Sequence, residues 1–261
     1  MSIIVEGRIL QLVFLLGYSL LILYGINRSV NQGKVPNIRQ PAAIAAIEEH
    51  VGRAVEMGRP VLFQTGIGDV SSNAGATHMA MLGVLDYTAK LAANKEAKFI
   101  CTTPSPTLYP MAEEIIRNSF LTEGKPDLFT DDTIQFLSNQ QMSYCSAVMH
   151  LMKRENISLN IQIGFFQAEN LITLEAAKDS GAVNIGGAVR TLRIPGMAFG
   201  CDYFLMGEEV FAAGAFCSRD PLRLGSLLGQ DLCKLAAIIV ILLGFVLVAA
   251  GSDFLVNLLT I

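Results

Sequence analysis

Residues Pro60–Gly75 read PVLFQTGIGDVSSNAG. A short apolar run, Pro60 to Gln64, enters a turn rich in glycine and hydroxyl groups. A helical pattern follows to about Ala93, with Leu82, Leu85 and Ala89 on one stripe and Ser72 or Asn73 placed to cap its start. Strand, glycine turn and helix in that order are the opening of a βαβ unit, so a second parallel strand is expected next.

Working outward, apolar runs alternate with helical patterns. Strands are expected at Lys98 to Thr102, Thr133 to Leu137, Leu159 to Ile163, Val183 to Ile185 and Tyr203 to Met206. Each run is brief and apolar throughout, as strands buried on both faces require. Helices fit Leu108 to about Leu121 after Thr107, Gln140 to Glu155, Ala168 to Asp179, and the stretch opened by Glu208 and Glu209. Pro41 to Met57, rich in alanine, fits a further helix ahead of the first strand. The fold expected is α/β, a Rossmann-like doubly wound, mostly parallel sheet flanked by an N-terminal and a C-terminal transmembrane helix.

The flanks account for the composition. Of 261 residues 52% are hydrophobic and only 16% charged, well below the quarter usual in soluble domains. Ile9 to Ile26, ILQLVFLLGYSLLILYGI, carries no charge, and LAAIIVILLGFVLVAAG runs from Leu235 to Gly251 ahead of Asp253. Each is long enough for a helix to cross about 30 Å of hydrocarbon. Glu6 beside Arg8, and the lack of a small-residue cleavage site at Asn27-Arg28-Ser29, favour an anchor over a cleaved signal. Asp220-Pro221 is a strong helix start, so one long helix, or two nearly collinear ones, should lead into the second span. Arg28, Lys34 and Arg39 follow the first span and Arg219, Arg223 and Lys234 precede the second. Basic flanks resist translocation, which puts both termini outside and the middle of the chain in the cytoplasm of a cell membrane. The five cysteines, Cys101, Cys145, Cys201, Cys217 and Cys233, show no metal-ligand spacing and read as reduced thiols in such a compartment. The domains expected are a 1–27 anchor, a 28–59 juxtamembrane linker and helix, a 60–219 cytoplasmic α/β domain, and a 220–261 juxtamembrane and transmembrane helix.

Ligands of open parallel sheets bind beyond the carboxyl ends of the strands. Those ends supply Thr65, Gly66, Gly68, Asp69 and Ser71 after the first strand, Thr103 after the second, Glu169 after the fourth, Gly187 in the fifth and Glu208 after the sixth. Backbone N–H groups of the glycine turn and the dipole of the helix it opens could hold an anion. Ser71 stands where a dinucleotide fingerprint has its third glycine, and no acid ends the second strand. No phosphate-binding GxxxxGK[ST], no GxSxG elbow and no HExxH occurs. His50, His78 and His150 fall on three different helices, each fitting a satisfied core or surface histidine. No cofactor, metal or catalytic residue is assigned; the want of a recognisable catalytic motif leans against an enzyme and leaves the question open.

Gly186-Gly187-Ala188, Asp202-Tyr203, the run Gly207 to Ala215, Gln230-Asp231, Thr65-Gly66 and Thr103-Pro104 resemble an uncharacterised prokaryotic membrane protein family. That family is a domain of unknown function with a Rossmann-like domain and a C-terminal transmembrane helix. The resemblance implies this architecture and no substrate. The small residues Ala212 to Ala215 suit tight helix packing within the chain or between subunits, and Gly225 with Gly229 forms a small-xxx-small pair.

Two functions follow as expectations. One is a homo-oligomeric membrane scaffold or accessory protein, its partners the lipid bilayer, further copies joined through the transmembrane and juxtamembrane helices, and a larger membrane complex. The other is a tethered domain that binds, or acts on, a phosphate-like or nucleotide-like ligand. Nucleic acid is not expected as a partner, since the net charge is -4.

Overall fold

The computed structural model describes residues 9–33, 39–71 and 73–249. Glu6, Arg8, Lys34, Ser72 and Asp253, on which parts of the sequence reading rest, lie outside them. The chain divides into a pair of long helices, within residues 1–38 and 219–261, and an α/β unit of residues 39–218.

The α/β unit is a six-stranded, all-parallel sheet: β1 (Val61–Gly66), β2 (Phe99–Thr103), β3 (Ile134–Phe136), β4 (Leu159–Phe165), β5 (Val183–Ala188) and β6 (Tyr203–Met206), ordered β3-β2-β1-β4-β5-β6. All six expected strands are present. The order reverses between β1 and β4, which is the arrangement of the doubly wound dinucleotide-binding fold.

One face of the sheet carries α2 (Ala42–Met57), α3 (Gly75–Asn94), α4 (Leu108–Thr122) and α8 (Glu209–Ser218). The other carries α5 (Gln141–Glu155), α6 (Glu169–Asp179) and α7 (Ile194–Gly200). Strand alternation sets these layers. Val61 and Phe63 of β1 point to the α3 side with Met81 and Leu85, while Leu62 points to the α5 side with Tyr144 and Val148. Helix α2, read from the sequence as a connection between anchor and sheet, buries Ile44, Ile47 and Val51 in the α3-side core. Gly214 of α8 lies so close to α3 that a Cβ there would sit 2.6 Å from the Ala80 carbonyl oxygen. The small residues of this helix therefore serve packing inside the subunit.

The α5-side face is unusual in being polar where a two-sided sheet is normally apolar. Gln64 Nε2 donates to Asn160 Oδ1 at 2.7 Å, and Asn160 Nδ2 donates to Asn184 Oδ1 at 2.7 Å, an amide ladder across β1, β4 and β5. All three residues are fully buried. Asn160→Leu would strand an amide donor of Gln64 and the acceptor of Asn184, each costing about 1–3 kcal/mol when buried without a partner. The expected outcome is a fall in Tm of roughly 5–10 °C in a circular-dichroism melt of the intact chain.

The other unit pairs α1 (Ile9–Val30) with α9 (Pro221–Ala249), two helices long and apolar enough to cross a membrane. Helix α9 is a single helix, and Asp220 caps it as expected, its Oδ1 accepting from the Leu222 N–H at 3.0 Å. At about 1.5 Å per residue its 29 residues exceed a hydrocarbon core of about 30 Å, and its charged residues Arg223, Asp231 and Lys234 lie in its first half. The pair is antiparallel: Gly225 meets Gly25, Ile26 and Ser29, Gly229 meets Leu21 and Ile22, and Cys233 meets Tyr18. Gly225 and Gly229 thus provide close backbone approach to Gly25 of the same chain. Beyond that contact an apolar groove of about 1060 Å³ is lined among others by Phe14, Tyr18, Leu21, Ala236 and Val240.

Candidate functional site

The reversal of strand order sends the loop after β1 to the α3 face and the loop after β4 to the α6 face, so a crevice opens between them. Its floor is built on glycine. Gly66 (φ +77°) and Gly164 (φ +149°) occupy conformations closed to L side chains. A Cβ on Gly66 would stand 2.4 Å from the Phe165 carbonyl oxygen, and one on Gly164 2.1 Å from the Thr65 carbonyl oxygen. Here the first glycine of the turn allows β1 to press against β4. Gly68 (φ +116°) lies above them, bordered by the His78 imidazole and the Phe165 ring.

The sequence-expected residues divide into three groups. Thr65 and Gly66 end β1 and Gly68 and Asp69 follow in the β1–α3 loop, and Asp69 accepts from the Thr107 hydroxyl, which also contacts Ser105 Oγ at 2.9 Å. Thr103 Oγ1 accepts from the Ser105 N–H at 3.3 Å, and Ser105 Oγ in turn accepts from the Leu108 N–H at the start of α4. This chain of contacts ties the β1–α3 loop to the β2–α4 loop. Glu169 is buried and engaged in holding the start of α6, accepting from the Gln167 N–H at 2.8 Å and from Gln141. Ser71 is exposed, and Gly187 lies within the sheet, where a Cβ would press on Val210, Ile163 and Leu205. Glu208 is exposed after β6, three strands from β1 and so roughly 14 Å away across the sheet. The structure does not bring Gly187 and Glu208 to the crevice.

Other residues do meet there. A cavity of about 90 Å³ opens at the carboxyl ends of β4 and β5, lined among others by Asn73, Thr77, Phe165, Arg190, Arg193 and Met197. At about 30 Å³ per water it accommodates three waters or one compact anionic group. Helix α3 starts at Gly75 with Ala74 in the cap position, a residue with no side-chain acceptor, so Asn73 lines the cavity rather than capping the helix. The positive dipole end of this 20-residue helix faces the cavity side on which Asn73 and Thr77 lie. The Arg190 guanidinium lies 4.8 Å over the Phe165 ring. Arg193 is half-buried, and its Nε, shielded from solvent, has no acceptor among the described residues.

His78, expected to be a satisfied histidine, is not one: it is fully buried, and neither ring nitrogen has a hydrogen-bond partner among the described residues. Burial pushes its pKa below the ordinary 6.5, and the nearby charge of Asp69 only partly opposes this. The neutral ring offers one donor and one acceptor. His50 packs on Tyr203 with ring centroids 5.7 Å apart, but its buried Nε2 also has no hydrogen-bond partner among the described residues, so it is a core histidine that is not fully satisfied, while His150 is exposed on α5. Burial raises the Cys201 and Cys217 thiols to about 12 and that of Cys101 further, so none is an activated nucleophile. Among the described residues no three His, Cys, Asp or Glu side chains are grouped to hold a metal ion.

A family model described as "Domain of unknown function (DUF6754)" matches residues 1–259. The chain belongs to this family. No curated protein matches it. The match runs through both long helices as well as the sheet, so the family unit is the two together. Its description carries no activity, and the chemistry of the crevice is the guide to function.

Proposed function

We propose that this chain is a membrane-anchored binding protein whose cytoplasmic α/β domain holds a small anionic ligand at the switch point of the sheet. The carrying observation is the buried Nε of Arg193, without an acceptor among the described residues, in a cavity shared with Arg190 and with Asn73 and Thr77 at the start of α3. A buried guanidinium N–H without an acceptor is costly, and an arginine fork beside a helix N-terminus suits a carboxylate or phosphate oxygen. Anchoring is supported by the two long apolar helices, and orientation by the basic residues Arg28, Arg219 and Arg223 near the ends that join the α/β unit. Both termini then lie outside. The scaffold reading has less to draw on, because the small-residue faces of α8 and α9 are already engaged inside the chain.

The test is a thermal-shift and calorimetric titration of the full chain in lipid nanodiscs with inorganic phosphate. Phosphate is expected to raise Tm, since binding to the folded state alone stabilises it by about 2.7 kcal/mol at a hundredfold excess over Kd. Arg193→Met is expected to remove that response while leaving the fold intact. No phosphate response in the wild-type chain, or an equal response in Arg193→Met, contradicts the reading.

A further inference from the structure

Two buried side chains flank the crevice on opposite faces of the sheet. His78 stands one turn into α3, with the Gly68 turn within 3.3 Å of its Nε2 as measured to the place a Cβ would take there. Asn170 stands in the first turn of α6, only 1% exposed, and neither its Oδ1 nor its Nδ2 has a partner among the described residues. Helix α3 follows β1 and helix α6 follows β4, so the two residues stand at the carboxyl ends of the two central strands, between which the order reverses. On the Asn170 side the polar lining continues downward. Thr173, one turn later, accepts from Gln162 Nε2 at 2.8 Å, which leaves Gln162 Oε1 unpaired. Gln64 Oε1, on the neighbouring strand in register with Gln162, is unpaired as well.

Buried polar atoms in folded proteins are nearly always hydrogen-bonded. A primary amide brings two donors and an acceptor, and a neutral imidazole one of each. An amide and an imidazole with unmet side-chain valences, one beside the Gly68 turn and one in the first turn of α6, are complementary to an uncharged group rich in hydroxyls or ring nitrogens. Asp69, the one acid beside His78, is joined to Thr107 instead. Resting on the anion reading of the Arg193 cavity, we propose that His78 and Asn170 bind the uncharged body of the same ligand. The ligand is then a phosphate monoester of a sugar or nucleoside, its anionic end toward Arg193 and its polar body between α3 and α6. The pair are binding residues, and no bond is made or broken.

Calorimetry of the full chain in nanodiscs would compare inorganic phosphate, ribose 5-phosphate and AMP. At least one monoester is expected to bind tenfold or more tightly than phosphate. His78→Phe and Asn170→Leu are each expected to bring that monoester to within twofold of phosphate, while phosphate affinity changes less than twofold. In ligand-free melts both variants should hold or raise Tm, since each replaces an unpaired polar group by an apolar one of similar size. Phosphate binding without any monoester preference overturns this proposal and leaves the anion site standing. Monoester preference retained in both variants, with a lowered ligand-free Tm, assigns the two residues to structure, bridged by buried water only, and overturns it too. No binding of phosphate or monoester removes the underlying reading itself. The two substitutions lie on different helices, so if one prevents folding the other still decides.

Discussion

Gly66→Val and Gly164→Val are each expected to leave no folded α/β domain. The two glycines face each other across the paired ends of β1 and β4, and each would drive a Cβ to within 2.4 Å or less of the partner strand's carbonyl oxygen. No rotamer relieves a clash made by Cβ itself, so relief requires the central strands to separate, and with them the core halves anchored on Phe63 and Ile161. The positive φ at both sites adds backbone strain of about 1–3 kcal/mol. The sum exceeds about 4–5 kcal/mol, a large part of the 5–15 kcal/mol by which domains are stable. Gly124→Ala is the control, because Gly124 has φ +70° but nothing within 4 Å of a Cβ. It pays for strain alone, about 1 kcal/mol. Circular dichroism should show a cooperative melt for Gly124→Ala and none for either valine. A cooperative melt in Gly66→Val would show that β1 and β4 are not packed as described.

Gly25→Leu is expected to separate α1 from α9. A Cβ at Gly25 would lie 2.5 Å from the Gly225 carbonyl oxygen and 2.7 Å from the Gly229 nitrogen, so the helices must move apart along their closest contact. At this contact the pairing rests on close backbone packing, which the leucine removes. A loss of about 3 kcal/mol or more lowers the pairing equilibrium over a hundredfold. Cys233 Sγ lies 3.8 Å from the Tyr18 carbonyl oxygen, so Tyr18→Cys puts a second thiol on the residue that Cys233 meets across the pair. Oxidation should then form an intrachain disulfide in high yield, and adding Gly25→Leu should reduce the yield at least tenfold. Equal yields would mean that the glycines do not hold the pair.

Much of the fold was legible before any coordinates. The brevity of the apolar runs and their alternation with helices led to six parallel strands, and the Asp220-Pro221 start led to an unbroken α9. What escaped was set by tertiary contact. Helix α7 holds Pro195, Gly196 and Gly200, residues that weaken helix propensity, and it exists because Met197 and the glycines fit against Leu171 and Leu174. The amide ladder escaped because Gln64, Asn160 and Asn184 sit in separate apolar runs, and only strand pairing aligns them.

The site was legible in part. Strand ends and glycines point to the β1–α3 loop, but the strand-end acids Asp69, Glu169 and Glu208 do not line the cavity, which Arg190 and Arg193 line instead. Gly186-Gly187 drew attention and Arg190 and Arg193, a few residues later, did not, because an isolated arginine in a loop usually faces solvent. His78 and Asn170 look ordinary in sequence. Their lack of partners is a property of the folded crevice alone.

The most direct measurement is an electron cryomicroscopy or crystal structure of the full chain with inorganic phosphate present. Density for a bound anion is expected between the Arg193 guanidinium and the first N–H groups of α3, within hydrogen-bonding distance of both. Arg193 paired with a protein carboxylate, and that cavity filled by water alone, would contradict the account.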